Sequence, residues 1–370
     1  MSTRVGEVVE ALAPILAERA GRHDAEGTFV EDNYDELRRL RVFGLGVPEA
    51  LGGGGASHRE LCQLLRELGR HCGSTALALS MHTHLLAATV YRHRRGEPGE
   101  QLLRKVAAEQ LVLVSTGAAD WLSSNGKMER VEGGYRVSAE KIFGSGSPKG
   151  DLLITSAPYD AAEGGPQVLH FPVPLKAEGV RVLSDWDAMG MRGTGSHTVV
   201  LENVFVPDAA IGVRRPKGTW HPMWSVIMTV APPVFMAPYL GVAEAAAEIA
   251  RQVCRPRAQD SCVVHAIGEM ETSLAMARMT HESMVALAND YDFAPDVERA
   301  NAGAIRKSIL ARTTREVVQK AMEAVGGGSY FRRLGLERLL RDITGAQFHP
   351  MQDKRQIAFT GRLALGLPPV

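Results

Sequence analysis

Neither sign of charge prevails in this chain: Lys plus Arg and Asp plus Glu both number 42. That balance gives no electrostatic reason to expect a nucleic acid or an anionic membrane surface as partner. Cysteine is scarce, with only Cys62, Cys72, Cys254 and Cys262, none at C-x-x-C spacing. The pattern argues against a zinc site or a disulfide framework, so no metal is expected, and it suits a reducing cytoplasm. No apolar run is expected to approach the roughly 18–20 residues a membrane span requires, and none to cross one. The phosphate loop G-x-x-x-x-G-K-[ST] is missing. "LGGGGAS" at 51–57 neither follows a strand nor opens a helix in a βαβ unit, and it reads as a turn. There is no internal repeat and no disordered tail.

What the chain does contain is length and order. Its 370 residues, 45% of them hydrophobic, suffice for two or three cooperating domains around a substantial core. Residues 1–110 place apolar and charged groups at helical spacing; "MSTRVGEVVEALAPILAERAGRHD" reads as an amphipathic helix rather than a signal peptide. From 111 to 222 the texture is short, β-branched and punctuated by Gly, Pro and Asp, as in "DLLITSAP" and "HTVVLENVFVP", which predicts antiparallel strands. From 223 to 370 Ala-, Glu-, Arg- and Met-rich segments predict long helices packed as a bundle, with Met270, Met276, Met279 and Met284 as core residues. The fold class is α+β rather than a doubly wound sheet.

Four separated stretches share one chemistry. "LVLVSTGAADW" (111–121) runs a strand into hydroxyls, and "GGYRVSAEKIFGSGS" (133–147) ends a strand in a Ser/Gly turn. "WDAMGMRGTGSHTVVLENVFVP" (186–207) bends at glycines before a strand, and "EAVGGGSYFRRLGLERLLRD" (323–342) places glycines after a helix with arginines behind. Small residues let backbone approach a flat ring, hydroxyls and amides bond its polar edge, and arginines hold a pyrophosphate. "TWHPMW" (219–224) has one His and no second ligand at metal spacing, so it reads as a boundary turn.

In this order the four stretches, with "GLGVPEALGGGGAS" before them, resemble the acyl-CoA dehydrogenase superfamily almost end to end. The closest match is "MGMRGTGSHTVVLENVFVP", to the family's G-x-R-x-T-x-S…V-x-V-P signature. The resemblance implies an N-terminal helical domain, a central β domain, a C-terminal four-helix bundle, a flavin held between the last two, and a homotetramer. The implied flavin is FAD, with FMN as the alternative because Glu323 stands where a glutamine is usual. Carried over, Val114, Thr116, Phe143, Ser145 and Ser147 lie against the flavin ring, and Gly326 and Gly327 approach the pyrophosphate. Arg255 and Arg257 stand where the family has an Arg-x-x-Phe-Gly segment reaching a neighbouring subunit's FAD, although the Phe-Gly is absent.

The family's thioester dehydrogenases need a carboxylate base within reach of the substrate α-carbon. Of the two places where they carry it, "RDITGAQFHPMQDKRQ" (341–356) has a His-Pro and "MWSVIMTVAPPVFMAPYLG" (223–241) has no acid. The spacing from Arg-Asp to His349 instead resembles the superfamily's flavin-dependent monooxygenases. They activate O2 on reduced flavin, here supplied through a separate reductase because no NAD site is visible. That resemblance implies His349 as a catalytic residue, joined by His82 or His84 of "ALSMHTHLLAATVY", with Ser145 near the reactive flavin nitrogen. The expected substrate is small and hydrophobic or aromatic, because prolines bend an apolar wall at 223–239. Two alternatives stand beside this: an acyl-CoA dehydrogenase with a relocated base such as Asp353, and a flavin-free binding protein on the same fold.

Overall fold

The computed structural model describes residues 3–116, 120, 122–161 and 164–370. The first layer consists of α1 (Thr3–Glu26), α2 (Glu31–Arg39), α3 (His58–His71), α4 (Gly73–His93) and α5 (Glu100–Glu109). Helix α3 begins in a capping box, where Ser57 and Glu60 satisfy each other's backbone N–H groups. The glycines before it are a packed loop. A Cβ on Gly53 would stand 2.1 Å from the Val47 carbonyl oxygen, so a larger residue cannot close that turn.

The strands are β1 (Leu113–Ser115), β2 (Lys127–Val131), β3 (Gly134–Gly144), β4 (Leu152–Asp160), β5 (Pro166–Pro174), β6 (Val180–Val182), β7 (His197–Pro207) and β8 (Val213–Pro216). They form two four-stranded sheets, in the orders β1-β4-β5-β8 and β2-β3-β7-β6. The antiparallel expectation needs one correction: β1 pairs with β4 in parallel, Val114 opposite Leu153 and Ser115 opposite Ile154. Between the sheets lies a core containing Val114, Leu153, Phe171, Val199 and Leu201. Alternation along β3 buries Tyr135, Val137, Ala139 and also Lys141, a charged side chain at an inward position.

The remaining helices are α6 (Pro222–Cys254), α7 (Ser261–Ala288), α8 (Val297–Val325), α9 (Leu336–Ile343) and α10 (Asp353–Ala364). Helix α6 is the centre of the bundle and packs against α3, α4, α7, α8 and α9. It also overturns an expectation. The segment Pro222–Arg257 is by length and composition apolar enough to cross a membrane, yet 94% of its apolar 18-residue stretch is buried inside the protein, so its apolarity is that of a core helix. Pro232, Pro233 and Pro238 lie inside α6. Proline supplies no N–H to the carbonyl four residues earlier, and α8 approaches one such carbonyl closely: a Cβ on Gly303 would lie 2.5 Å from the Met228 oxygen. Imidazoles from two other helices brace α6, His58 Nε2 donating to the Val230 carbonyl and His281 Nε2 to that of Pro233, both at 2.9 Å.

Candidate functional site

A cavity of about 440 Å3 opens where the sheets, α4, α6 and the chain after α9 meet. The β layer contributes Ser115, Phe143, Ser145, Trp186, Thr194 and Ser196, while Leu77, Met81, Met228, Ala231 and Phe235 form an apolar wall. His84, His349, Tyr239 and Arg341 are the ionisable side chains on its surface, and no lining residue is a carboxylate among the described residues. Arg341 is matched by Asp24, whose two oxygens lie 2.8 and 2.6 Å from its guanidinium.

His349 stands between two aromatic side chains of α6. Its ring stacks on Phe235 at 4.9 Å between centroids and 16° between planes, and Nε2 lies 2.8 Å from the Tyr239 hydroxyl. Burial, with Lys307 and His84 nearby, pushes the His349 pKa down to about 3, so the ring is neutral at physiological pH. Burial raises Tyr239 well above the ordinary phenol range, so it keeps its proton. The contact depends on a glycine: a Cβ on Gly345 would lie 2.8 Å from the Tyr239 oxygen.

His84 lies on α4, and its Nδ1 donates to the Ser80 carbonyl at 3.3 Å. Burial lowers its pKa to about 4. A neutral imidazole that donates from Nδ1 accepts at Nε2, so the Ser115 hydroxyl 3.2 Å away donates to it. Ser115, one of the two hydroxyls that end the strand of "LVLVSTGAADW", lies between Val114 and Thr116, the residues the resemblance places against the flavin ring. Strand alternation settles which side faces the cavity: the Val114 side chain is in the β core, and Thr116 Oγ1 donates to Asp120 at 2.5 Å inside the β layer. His82 is corrected as well. Its Nε2 donates to the Phe43 carbonyl at 2.9 Å and its Nδ1 accepts from the Leu113 N–H at 3.0 Å, so both nitrogens are committed to backbone.

Three hydroxyls make a directed chain. Thr194 donates to the Met191 carbonyl at 2.9 Å, so it must accept from Ser196, 2.7 Å away. Ser196 then accepts from Ser145 at 2.8 Å, which leaves the Ser145 oxygen to accept from a donor in the cavity. Phe143 lies beside it, edge-on to Trp186 at 5.8 Å. Ser147 instead donates to the Gly195 carbonyl at 3.2 Å and is absent from the cavity lining. A wall of hydroxyls and aromatic edges opposite an apolar wall fits a flat ring with one polar edge, as a flavin has.

Comparison with known proteins decides the ancestry. Residues 5–110 match the profile "Acyl-CoA dehydrogenase, N-terminal domain", and residues 234–354 match "Acyl-CoA dehydrogenase, C-terminal domain". The chain belongs to the acyl-CoA dehydrogenase superfamily. This is a superfamily of flavin-dependent oxidoreductases, and similarity within it runs in two directions. Mitochondrial isovaleryl-CoA dehydrogenase of Oryza sativa subsp. japonica is 26% identical over 88% of this chain and 82% of its own. Methanesulfinate monooxygenase MsuC of Pseudomonas fluorescens superposes with a TM-score of 0.87 at 25% identity, covering 100% of this chain and 99% of its own. KijD3, solved with FMN and dTDP-3-amino-2,3,6-trideoxy-4-keto-3-methyl-D-glucose, superposes at 0.89 with 27% identity, over 99% and 95% of the two chains.

Two motifs of this superfamily dock on each other beside the cavity. Asp342 of the Arg-Asp pair accepts the Met191 N–H at 2.5 Å, and a Cβ on Gly190 would lie 2.2 Å from the Arg341 carbonyl oxygen. The superfamily's pyrophosphate contacts are less clearly preserved. Arg257 donates to the Ala324 and Val325 carbonyls at the end of α8, and Arg255 is exposed. A Cβ on Gly326 or Gly327 would meet nothing within 4 Å. Asp353, the relocated-base candidate, starts α10 and is absent from the cavity lining.

Neutral buried histidines give the fold an acid limit. Burial holds His82, His84 and His281 at about 4 and His170 and His349 at about 3, against about 6.5 in an unfolded chain. Between those values the unfolded chain binds more protons, so stability falls as pH drops from 6.5 towards 4. The urea midpoint is therefore expected to decline from pH 7 to pH 5; a flat profile would show that water reaches these rings.

Proposed function

We propose that this chain is a flavin-dependent monooxygenase that uses reduced flavin and O2 on a small, largely apolar substrate. The observation that carries the reading is the cavity surface, which offers neutral imidazoles and hydroxyls where a thioester dehydrogenase needs a carboxylate. Bound reduced flavin supplies two electrons to O2, so that one oxygen atom enters the substrate and the other leaves as water. His349 accepts the substrate's proton and exchanges hydrogen-bond roles with the Tyr239 hydroxyl. His84 keeps the Ser115 hydroxyl oriented on the facing wall, and Ser145 accepts a hydrogen bond from a donor in the cavity. The apolar wall excludes water from the reacting atoms.

FMN suits these residues better than FAD, because Arg257 is engaged within its own chain and the Phe-Gly that would accompany it is absent. A separate reductase then supplies the reduced flavin. Met276 and Met279, expected in the core with Met270 and Met284, are instead exposed on α7 beside Val264, and these apolar side chains support packing of further subunits.

The test is an anaerobic titration of the oxidised holoenzyme with a panel of acyl-CoA thioesters. Flavin absorbance is expected to persist, and reduced holoenzyme exposed to 18O2 with apolar heterocycles is expected to label a product. Bleaching by a thioester would overturn the reading in favour of a dehydrogenase.

A further inference from the structure

The segment that carries His349 is gripped from below by a buried lysine. Lys307 lies on α8, fully shielded from solvent, and its ammonium approaches two backbone carbonyls: Met351 at 3.2 Å and Gln347 at 3.4 Å. These carbonyls stand two residues before and two residues after His349. Arg315, two turns further along α8, donates to the Gln347 side chain at 2.7 Å. No carboxylate lies within 4.0 Å of the Lys307 nitrogen among the described residues. The Asp353 charge and the His349 ring are the titratable groups that face it from the neighbouring segment.

A lysine in such a place is costly. Burial lowers its pKa to about 8, and a methionine of similar shape would fill the space without desolvating a charge. What the ammonium supplies that an apolar stem cannot is a pair of donors converging on both sides of the His-Pro step. The imidazole is thus fixed from two directions. Phe235 and Tyr239 of α6 hold the ring, and Lys307 of α8 holds the backbone that presents it.

We propose that Lys307 is a positioning residue for His349: by binding the Gln347 and Met351 carbonyls it fixes the strap that aims the imidazole into the cavity. The inference rests on the reading of His349 as the group that handles the proton. Lys307 does not touch the cavity, so its removal acts on the chemical step and leaves the substrate wall and the flavin wall in place.

The variants are Lys307→Met, which keeps the stem and removes the donors, and Lys307→Gln, which retains an amide donor. Each is prepared as holoenzyme with 13Cε1-labelled histidine, the His349 signal being assigned by its loss in His349→Asn. In Lys307→Met the His349 resonance is expected to shift or broaden. Its kcat is expected to fall by about 10- to 100-fold, in line with the cost of a misplacement near 1 Å. KM and flavin affinity are expected to stay within about twofold, and Lys307→Gln to recover part of both signals. An unmoved His349 resonance with unchanged kcat in Lys307→Met would overturn the proposal, since the strap would then hold without the lysine. If Lys307→Met does not fold, the same comparison is made with Lys307→Leu, which also removes the donors, and a wild-type-like resonance and kcat in that variant would overturn the proposal equally. A shifted resonance in a protein whose wild type yields no oxygenated product would keep the positioning role and sink the monooxygenase reading instead.

Discussion

Replacing His349 with alanine is expected to lower the rate of oxygenated product formation by about 10²- to 10⁴-fold, the range in which a positioned acid–base group acts. Flavin uptake is expected to stay within about twofold, because the hydroxyl chain from Ser145 through Ser196 to Thr194 lies on the opposite wall and does not involve the imidazole. The ring is neutral through physiological pH, so it is ready to accept a proton without first losing one. Continued O2 consumption with release of H2O2 would accompany the loss. The decisive measurement is labelled product per flavin oxidised, and product yield equal to wild type would remove His349 from the mechanism. Tyr239→Phe is the companion variant. It removes the hydrogen bond between Tyr239 and the ring while leaving the Phe235 stack, and its effect is expected to be smaller.

Asp120→Ala is expected to be the most damaging change to stability. The Lys141 ammonium is fully shielded and lies 2.7 Å from Asp120 Oδ1, with the Ser156 carbonyl at 2.6 Å and Asn125 Oδ1 at 2.5 Å. Burial lowers the Lys141 pKa, while Asp120 opposes that shift. Deleting the carboxylate leaves a buried cation without its counter-charge, at a cost of about 3–5 kcal/mol. That corresponds to a thermal midpoint lower by about 5 °C for a chain of this length. The same carboxylate accepts from Thr116 and Thr155, so its loss also frees the Thr116 hydroxyl next to Ser115. Asp120→Asn, which keeps an acceptor and loses the charge, is expected to fall between alanine and wild type. A midpoint within about 2 °C of wild type in Asp120→Ala would show that the lysine loses its proton or reaches water instead.

Much of the architecture is legible in the chain. Helical periodicity, then β-branched runs, then Ala- and Met-rich helices give the order of layers, and the absence of an acid in 223–241 is plain to read. His82 and His84 are two residues apart on a helix, hence about 200° apart around its axis, so they cannot both face one cavity. Similarly, β1 places Ser115 on the opposite face from Val114 and Thr116 by alternation alone.

Residue order by itself determined the fold, the lack of a carboxylate in both expected places, and the presence of His349 after the Arg-Asp pair, because each is a matter of local pattern and spacing. The tertiary structure alone decided that His84 rather than His82 meets the cavity, that Tyr239 lies against His349 across 110 positions, and that Lys307 binds the backbone on both sides of His349. Those contacts join residues from separate helices, and the crossing of α6, α8 and the chain after α9 is set by core packing that no local period encodes.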